Sequence, residues 1–189
     1  MKIKVGVSNH HVHLTKEVLE TLFGKDYKLE IQKPLSQPGQ FASTSKVTIK
    51  GPKSEIENVR VLGPTRVYNQ VEISKTDAIK LGVNPPVRNS GDLKNSSPIT
   101  IIGPNGQVTL NEGCIIATRH IHISYDNLEK YEFDNGQTVS VKINSEKPAV
   151  LKNVYIKAIE QACFELHLDT YDANGNLINQ GDEVEIICE

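Results

Sequence analysis

Hydrophobic and polar residues alternate in short runs along the chain, which is the pattern of half-buried β-strands. Turn-forming residues bound each run, with Gly-Pro pairs starting at positions 51, 63 and 103 and Asn-Gly pairs starting at 105, 135 and 174. The runs are Lys46–Lys50, Glu57–Leu62, Ile99–Ile102, Gln107–Leu110, Thr138–Lys142, Val154–Lys157 and Glu183–Ile187. This spacing predicts a mainly β protein of the barrel or sandwich type.

Helical periodicity is confined to three short segments, which we predict to be α-helices. They are Lys16–Phe23, Lys75–Leu81 and Tyr125–Tyr131. Each follows a hydroxyl residue that can cap its first turn, and these are Thr15, Ser74 and Ser124. The chain from residue 85 to residue 97 is rich in Pro, Asn and Ser, and we expect it to be the longest irregular loop.

An internal repeat relates two parts of the chain. The segment that begins His11-Val-His13 and continues to Glu20 recurs as His120-Ile-His122, continuing to Glu129. In both copies a His-x-His pair at the end of a strand-like run leads into a predicted helix with a capping residue. The repeat predicts two related half-units, each with its own pair of histidines.

Five of the six histidines lie in three places along the chain, which are the two His-x-His pairs and His167. Residues i and i+2 of a strand point to the same face, about 6.6 Å apart along the backbone, so each pair can offer two imidazoles to one metal ion. Glu72 could supply a third ligand to one pair and His167 to the other, since each lies in a strand-like run. Nitrogen and oxygen donors favour zinc, with cobalt, manganese and iron as alternatives.

Two competing interpretations stay open at this point. His11-x-His13 followed by Glu17 and Gly24 fits the first metal motif of cupins, so a cupin-like or hydrolytic metalloenzyme could use the same histidines around a metal-bound water. That motif needs its glutamate on a strand, whereas Glu17 lies in a predicted helix. A non-catalytic alternative is a binding module in which metal only stabilises the fold.

His10 lies directly before the first His-x-His pair. If the chain around it is extended, its side chain faces away from His11 and His13, and we expect no ligand role for it.

Composition and charge exclude several classes of protein. The 189 residues carry 21 basic and 23 acidic side chains, a net charge of −2 that gives no electrostatic reason to bind nucleic acid or an anionic membrane. The longest strictly apolar run, Cys114–Ala117, is far shorter than the roughly 18 residues of a membrane span. The three cysteines, at positions 114, 163 and 188, form no Cys-x-x-Cys pair and suit a reducing compartment. We therefore expect a cytoplasmic protein.

Three cations near tight turns, Lys53, Arg60 and Arg66, could form an anion cradle. An arginine can bind phosphate through two parallel hydrogen bonds. Arg66 and Glu72 would share one face of a straight strand, but six residues of such a strand span about 20 Å. If both serve one site, the chain must bend or bulge between them.

Seven motifs follow one another along nearly the whole chain: Ser8–Leu14, Gln37–Ala42, Val61–Arg66, Gln70–Asp77, Pro86–Asp92, Ala117–His122 and His167–Thr170. Their order and spacing resemble the PduL family of phosphate acyltransferases, also called phosphotransacylases. Two departures are visible. The family usually has arginine where this chain has His10, and Asp-Thr-Asp-Glu-Ala-Asn where this chain has Asp169-Thr-Tyr-Asp-Ala-Asn174.

The resemblance implies a mainly β fold of two antiparallel β-barrels with a few short helices. It also implies that the barrels are interleaved in sequence, with residues 1–9 and 118–189 forming barrel 1 and residues 10–117 forming barrel 2. Members of the family that are housed in bacterial microcompartments carry an extra amphipathic segment ahead of the first strand. Here that strand is predicted to begin at residue 2, and we expect a free cytosolic enzyme.

The activity implied by the resemblance is the interconversion of short-chain acyl-CoA and phosphate with acyl phosphate and coenzyme A, with an acetyl or propanoyl group, at a site with two zinc ions. One zinc would be held by His11, His13 and Glu72, and the other by His120, His122 and His167. Arg66 would bind phosphate and take part in catalysis. The contacts with coenzyme A would come from Val7, Ser8, Asn9, Lys53, Arg60 and Asn174. The residues do not fix the oligomeric state, and a homodimer is compatible with the resemblance. We expect neither nucleic acid nor membrane among the partners.

Overall fold

The structure is a computed structural model that describes residues 1–187. Within these residues it has fourteen strands and four short helices, which confirms the prediction of a mainly β fold. The strands are β1 (Lys2–Ser8), β2 (His11–His13), β3 (Ile31–Pro34), β4 (Phe41–Lys50), β5 (Glu55–Gly63), β6 (Gln70–Glu72), β7 (Val87–Arg88), β8 (Ser97–Ile102), β9 (Gln107–Ala117), β10 (His120–Ser124), β11 (Thr138–Ile143), β12 (Ala149–Ile159), β13 (Glu165–Asp169) and β14 (Glu183–Ile187). The helices are α1 (Lys16–Phe23), α2 (Lys75–Leu81), α3 (Tyr125–Lys130) and α4 (Thr170–Gly175).

Six strands close into barrel 1 in the order β1, β13, β10, β12, β11 and β14, with β14 pairing back onto β1. Alternate residues of these strands fill its interior, and Val5, Ile121, Ile156 and Leu166 are completely buried there. The compact unit around this barrel contains Met1–Asn9, Ser36–Pro38 and the described chain from Thr118 onward.

Barrel 2 also closes from six strands, in the order β4, β5, β2, β6, β9 and β8, with β8 pairing back onto β4. The short strands β3 and β7 are added to β4 and β9. The compact unit around barrel 2 contains His10–Leu35 and Gly39–Ala117. The prediction of two β-barrels from the family resemblance is therefore confirmed.

The two barrels repeat one pattern of strand pairing. In barrel 2, β2 pairs parallel with β5 and antiparallel with β6, and in barrel 1, β10 pairs parallel with β12 and antiparallel with β13. The strand before each His-x-His pair belongs to the opposite barrel, because β1 closes barrel 1 and β9 closes barrel 2. Each half of the sequence thus donates its first strand to the barrel built by the other half.

Helices α1 and α2 have the predicted bounds, and α3 ends one residue earlier than predicted, at Lys130. Thr15, Ser74 and Ser124 cap them as expected, each accepting a hydrogen bond from the backbone of the first turn. We missed α4, which has only six residues and is capped by the carboxylate of Asp169. Among residues 1–187, no helix has the length and apolar character needed to cross a membrane.

Two of the Gly-Pro turns pack against the C-terminal ends of helices. A Cβ atom added to Gly51 would lie 2.3 Å from the carbonyl oxygen of Leu81, and one added to Gly103 would lie 2.5 Å from that of Leu22. The amide of Lys53 donates a hydrogen bond to the Leu81 carbonyl, and Asn105 does the same for Leu22. Glycine is needed at these two positions because a side chain would collide with the end of the helix. The hydrogen bonds from the turns satisfy carbonyl groups that have no partner within the helix.

Candidate functional site

Barrel 2 brings His11, His13 and Glu72 together. His11 and His13 point to one face of β2, and the antiparallel register places Glu72 of β6 directly opposite His11. One ligand atom from each of the three side chains lies within 4.8 Å of the other two, and His11 Nε2 is 3.4 Å from Glu72 Oε2. Two imidazoles and a carboxylate in this arrangement can hold a zinc ion and leave a coordination position open for a substrate.

The side chain that orients Glu72 is Gln70, which is completely buried. Its amide nitrogen donates hydrogen bonds to Glu72 Oε1, at 2.5 Å, and to Ser90 Oγ, at 2.8 Å. Its carbonyl oxygen accepts one from the backbone N–H of Gly91, at 2.7 Å. Sequence reasoning gave Gln70 no role, although its position two residues before Glu72 on a strand places both side chains on one face.

Arg66 is connected to the same group through hydrogen bonds. Its guanidinium donates from Nη1 to Tyr68 Oη and Ser90 Oγ, at 2.8 and 3.2 Å, and from Nη2 to Gln40 Oε1, at 3.3 Å. These acceptors are neutral, and within residues 1–187 no carboxylate forms an ion pair with the Arg66 guanidinium. Because Ser90 Oγ also accepts from Gln70, a continuous chain runs from Arg66 through Ser90 and Gln70 to Glu72, which we call the Arg66–Glu72 network.

The chain bends between Arg66 and Glu72, as a shared site requires. Strand β5 ends at Gly63 and β6 begins at Gln70, so Arg66 lies in the connecting loop and not on a straight strand. Its backbone N–H donates a hydrogen bond to the carbonyl of Leu14, at 2.9 Å, directly after His13. The loop is thereby held against the end of the strand that carries the two histidines.

Barrel 1 brings His120, His122 and His167 together in the same way. His167 of β13 lies directly opposite His120 of β10. One nitrogen from each of the three rings lies within 4.8 Å of the other two, and the Nε2 atoms of His120 and His122 are 3.1 Å apart. The Nδ1 of His120 donates to the carbonyl of Thr118, at 2.7 Å, which leaves the lone pair of a neutral imidazole on Nε2, as metal ligation requires.

Glu165 takes the position in barrel 1 that Gln70 takes in barrel 2. It precedes the third member of its group by two residues and pairs with His122, as Gln70 pairs with His13. Its Oε2 accepts hydrogen bonds from His167 Nε2, at 2.9 Å, and from Ser36 Oγ, at 2.6 Å. The hydrogen bond from His167 is the largest cause that lowers the pKa of Glu165, and it outweighs burial. Sequence reasoning gave Glu165 no role.

Gly6 leaves the room that this pair needs. It lies opposite His167 in the parallel register of β1 and β13. A Cβ atom at this position would lie 2.9 Å from Glu165 Oε2 and 3.3 Å from His167 Cδ2. A side chain as small as alanine would therefore displace the carboxylate that accepts from His167.

A second equivalence concerns the residue just before each His-x-His pair. Arg119 makes a bidentate ion pair with Asp172, at 2.6 and 2.8 Å, and Asp172 lies in the first turn of α4. His10 takes the corresponding position, and its Nδ1 lies 3.3 Å from Oδ2 of Asp77 in the first turn of α2. His10 is not among the ligand atoms grouped within residues 1–187, and its non-ligand role stays a prediction.

The six residues expected to contact coenzyme A divide between the two units. Val7 and Ser8 end β1, Asn9 follows them, and Asn174 lies on α4, which contacts β1. In barrel 2, Lys53 is an exposed residue of the turn after β4, and Arg60 lies beside His11 in the register of β5 with β2. The amide of Val7 donates to Gln180 Oε1, and Arg60 Nη1 donates to the carbonyl of Ser43. Their contacts with coenzyme A stay a prediction.

The structure opposes the cupin interpretation, because Glu17 is an exposed residue of helix α1 and the third ligand atom beside His11 and His13 comes from Glu72.

Two of the cysteines differ in their surroundings. Cys114 is completely buried, which raises the pKa of its thiol to about 12. Cys163 is half-buried near Glu165, and burial raises the pKa of its thiol as well. Cys188 lies outside the described residues.

Comparisons with known proteins identify relatives along nearly the whole chain. The family model for phosphate propanoyltransferase matches residues 4–179. A phosphate propanoyltransferase of Thermotoga maritima is 51% identical over 98% of this chain and 89% of its own length. Relatives of the same name from Priestia megaterium and Rhodopseudomonas palustris are 50% and 43% identical, over 95% and 100% of this chain and 83% of each relative.

Proposed function

The chain belongs to the phosphate propanoyltransferase family, whose members are acyltransferases, and we propose that it exchanges a short acyl group, acetyl or propanoyl, between coenzyme A and inorganic phosphate. Family membership over nearly the full chain carries this proposal. The structural observation that supports it best is the Arg66–Glu72 network, which links the Arg66 guanidinium to a group of metal-type ligands. The cytoplasmic location of the protein stays a prediction.

The residues present fit two zinc ions. His11, His13 and Glu72 would hold one, and His120, His122 and His167 the other. The fit rests on the donor types and on the hydrogen bonds behind them, since Gln70 orients Glu72 and the Thr118 carbonyl fixes the tautomer of His120. When bound, zinc supplies a Lewis acid that polarises a thioester carbonyl and stabilises a thiolate.

Arg66 would bind the phosphate dianion. Its guanidinium is planar and can donate two parallel hydrogen bonds to phosphate oxygens. The hydrogen bonds from Arg66 to Tyr68, Ser90 and Gln40 hold the guanidinium plane before phosphate arrives, which lowers the entropy cost of binding. Orientation of the attacking oxygen is the main task of the protein here, because phosphate is already an anionic nucleophile.

The reaction balances without a protein nucleophile. An oxygen of hydrogen phosphate forms a bond to the thioester carbon, the carbon–sulfur bond breaks, and sulfur leaves with the electron pair. The proton of hydrogen phosphate ends on the thiol of coenzyme A. We keep Val7, Ser8, Asn9, Lys53, Arg60 and Asn174 as the proposed contacts of coenzyme A, in which the two cations would meet its phosphates.

The direct test follows thioester absorbance when purified protein meets acetyl-CoA or propanoyl-CoA, with and without phosphate, before and after chelation. We expect loss of the thioester only when phosphate and metal are both present. Loss without phosphate would indicate the hydrolytic alternative. A folded, metal-loaded protein that leaves the thioester intact would indicate a binding module.

Replacement of Arg66 provides a sharper test of the phosphate site. Arg66→Ala removes a charged hydrogen-bond donor and should lower kcat/KM for phosphate about 10- to 100-fold while the bound zinc stays unchanged. Arg66→Lys keeps the charge but not the planar fork, so we expect it to rescue only part of the loss. Lys46→Ala, an exposed change on β4, serves as the control. An unchanged phosphate dependence in Arg66→Ala would contradict the assignment.

A further inference from the structure

A third group of ligand atoms in barrel 1 involves His167 but neither of the other two histidines. Cys163 Sγ, Glu165 Oε2 and a nitrogen of His167 lie within 4.8 Å of one another. The Sγ of Cys163 is 3.7 Å from Glu165 Oε2, and His167 Nε2 is 2.9 Å from the same oxygen. These separations are similar to two in the other groups, where His120 Nε2 lies 3.1 Å from His122 Nε2 and His11 Nε2 lies 3.4 Å from Glu72 Oε2.

The consecutive residues Ser36 and Gln37 donate hydrogen bonds to two members of this group. Ser36 Oγ donates to Glu165 Oε2 at 2.6 Å, and Gln37 Nε2 donates to Cys163 Sγ at 3.1 Å. Gln37 is only 4% exposed, and within the described chain its Oε1 has no hydrogen-bond partner. Proteins use such outer hydrogen bonds to orient metal ligands, and few buried polar atoms in folded proteins lack a partner.

We propose that Cys163, Glu165 and His167 form a second binding position for a soft or borderline divalent cation such as Zn²⁺ or Cd²⁺, which alternates with the position formed by His120, His122 and His167. A thiolate, a carboxylate and an imidazole are all ligands of these ions and leave one coordination position open. The proposal does not depend on the transferase assignment.

Both positions use His167, so in this proposal an ion at one position competes with an ion at the other for the same imidazole. Without metal, Nε2 of His167 carries the proton of the hydrogen bond to Glu165. In the second position the ion takes the place of that proton, and the neutral imidazole carries its proton on Nδ1 instead. The thiol of Cys163 loses its proton to solvent when it binds the ion. The ion count of barrel 1 therefore stays at one, while its ligands change.

The test uses the metal-depleted full chain and Cd²⁺ alone, because sulfur–cadmium bonds give an ultraviolet charge-transfer band that nitrogen and oxygen ligands do not. We expect this band on addition of Cd²⁺, its loss in Cys163→Ser, and its retention in Cys114→Ser and Cys188→Ser. Absence of the band in the unaltered protein would overturn the proposal, and so would its survival in Cys163→Ser.

A second arm removes the competing position. In the double variant His120→Ala, His122→Ala, the band should persist, and adding Cys163→Ser to that variant should abolish it. Loss of the band in the double variant, when circular dichroism shows a folded protein, would overturn the proposal. Glu165→Gln keeps the shape of the side chain and should weaken Cd²⁺ binding about 10- to 100-fold, whereas unchanged binding would count against Glu165 as a ligand.

Discussion

Replacement of Gln70 by alanine tests whether the network behind Glu72 orders barrel 2 before any metal binds. The change removes three hydrogen bonds, those to Glu72, Ser90 and Gly91. At about 1 kcal/mol each, their loss amounts to about 3 kcal/mol of unfolding free energy. Water can reach Ser90 and Gly91 more easily than completely buried Gln70 and offset part of this loss, so we expect about 2 to 3 kcal/mol.

The same change should also weaken zinc binding. Without the donor at Oε1, the carboxylate of Glu72 can rotate away from His11, and loss of such an outer hydrogen bond typically costs about 10- to 100-fold in metal affinity. Urea unfolding of metal-free protein measures the first effect, and competition with a chelator measures the second. The urea dependence of the free energy should keep its slope if only stability has changed.

Two further variants sharpen this experiment. Gln70→Glu has the same size but replaces a donor to Glu72 by a second carboxylate, so it should lower stability and zinc affinity at least as much as alanine does. Gln107→Ala, at an exposed position of β9, should change neither. If Gln70→Ala unfolds within about 0.5 kcal/mol of the unaltered protein and binds zinc equally well, the network has no organising role.

Three other outcomes follow from the structure. Gly6→Ala should cost about 1 to 3 kcal/mol and weaken metal binding in barrel 1 only, as chelator competition would show, because its Cβ would lie 2.9 Å from Glu165 Oε2. His10→Arg should raise the free energy of urea unfolding by about 0.5 to 1 kcal/mol, because it would recreate the pair that Arg119 makes with Asp172; a lower stability would contradict the equivalence of the two positions. Cys114 should resist alkylation at pH 8 in folded protein and react in urea, as peptide mass spectrometry would show, because burial raises its pKa to about 12 and a thiolate forms only as pH approaches that value.

Much of the fold could be predicted from local sequence. Every run with alternating polarity lies in a strand, but β4 and β9 extend well beyond the runs that predicted them. Irregular pairing with β5 interrupts the alternation of β4, and polar residues occupy the middle of β9, so neither pattern persists over the full length. Closure of the barrels depends on pairs such as β1 with β14, which periodicity does not predict and which only the resemblance implied.

The candidate site, like the fold, could be predicted from the sequence only in part. The faces of the His-x-His pairs follow from the strand repeat of two residues, and Glu72 and His167 could be named because they lie in strand-like runs. Gln70 and Glu165 carry the same signal, since each precedes such a residue by two positions. Ser90 could not be predicted, because a loop brings it to Arg66 and Gln70, and α4 is too short to show helical periodicity.

The exchange of first strands between the two halves has a consequence for synthesis on the ribosome. Barrel 2 has all of its strands once residue 117 has emerged, because β9 is its last member in the chain. Strand β1 is made before every other strand, yet its partners β13 and β14 are the last two to appear. Val5, completely buried in the finished barrel, must therefore wait through nearly the whole of translation without its partners. Chaperones that shield exposed strands would therefore have to shield β1 for longer than any other described strand.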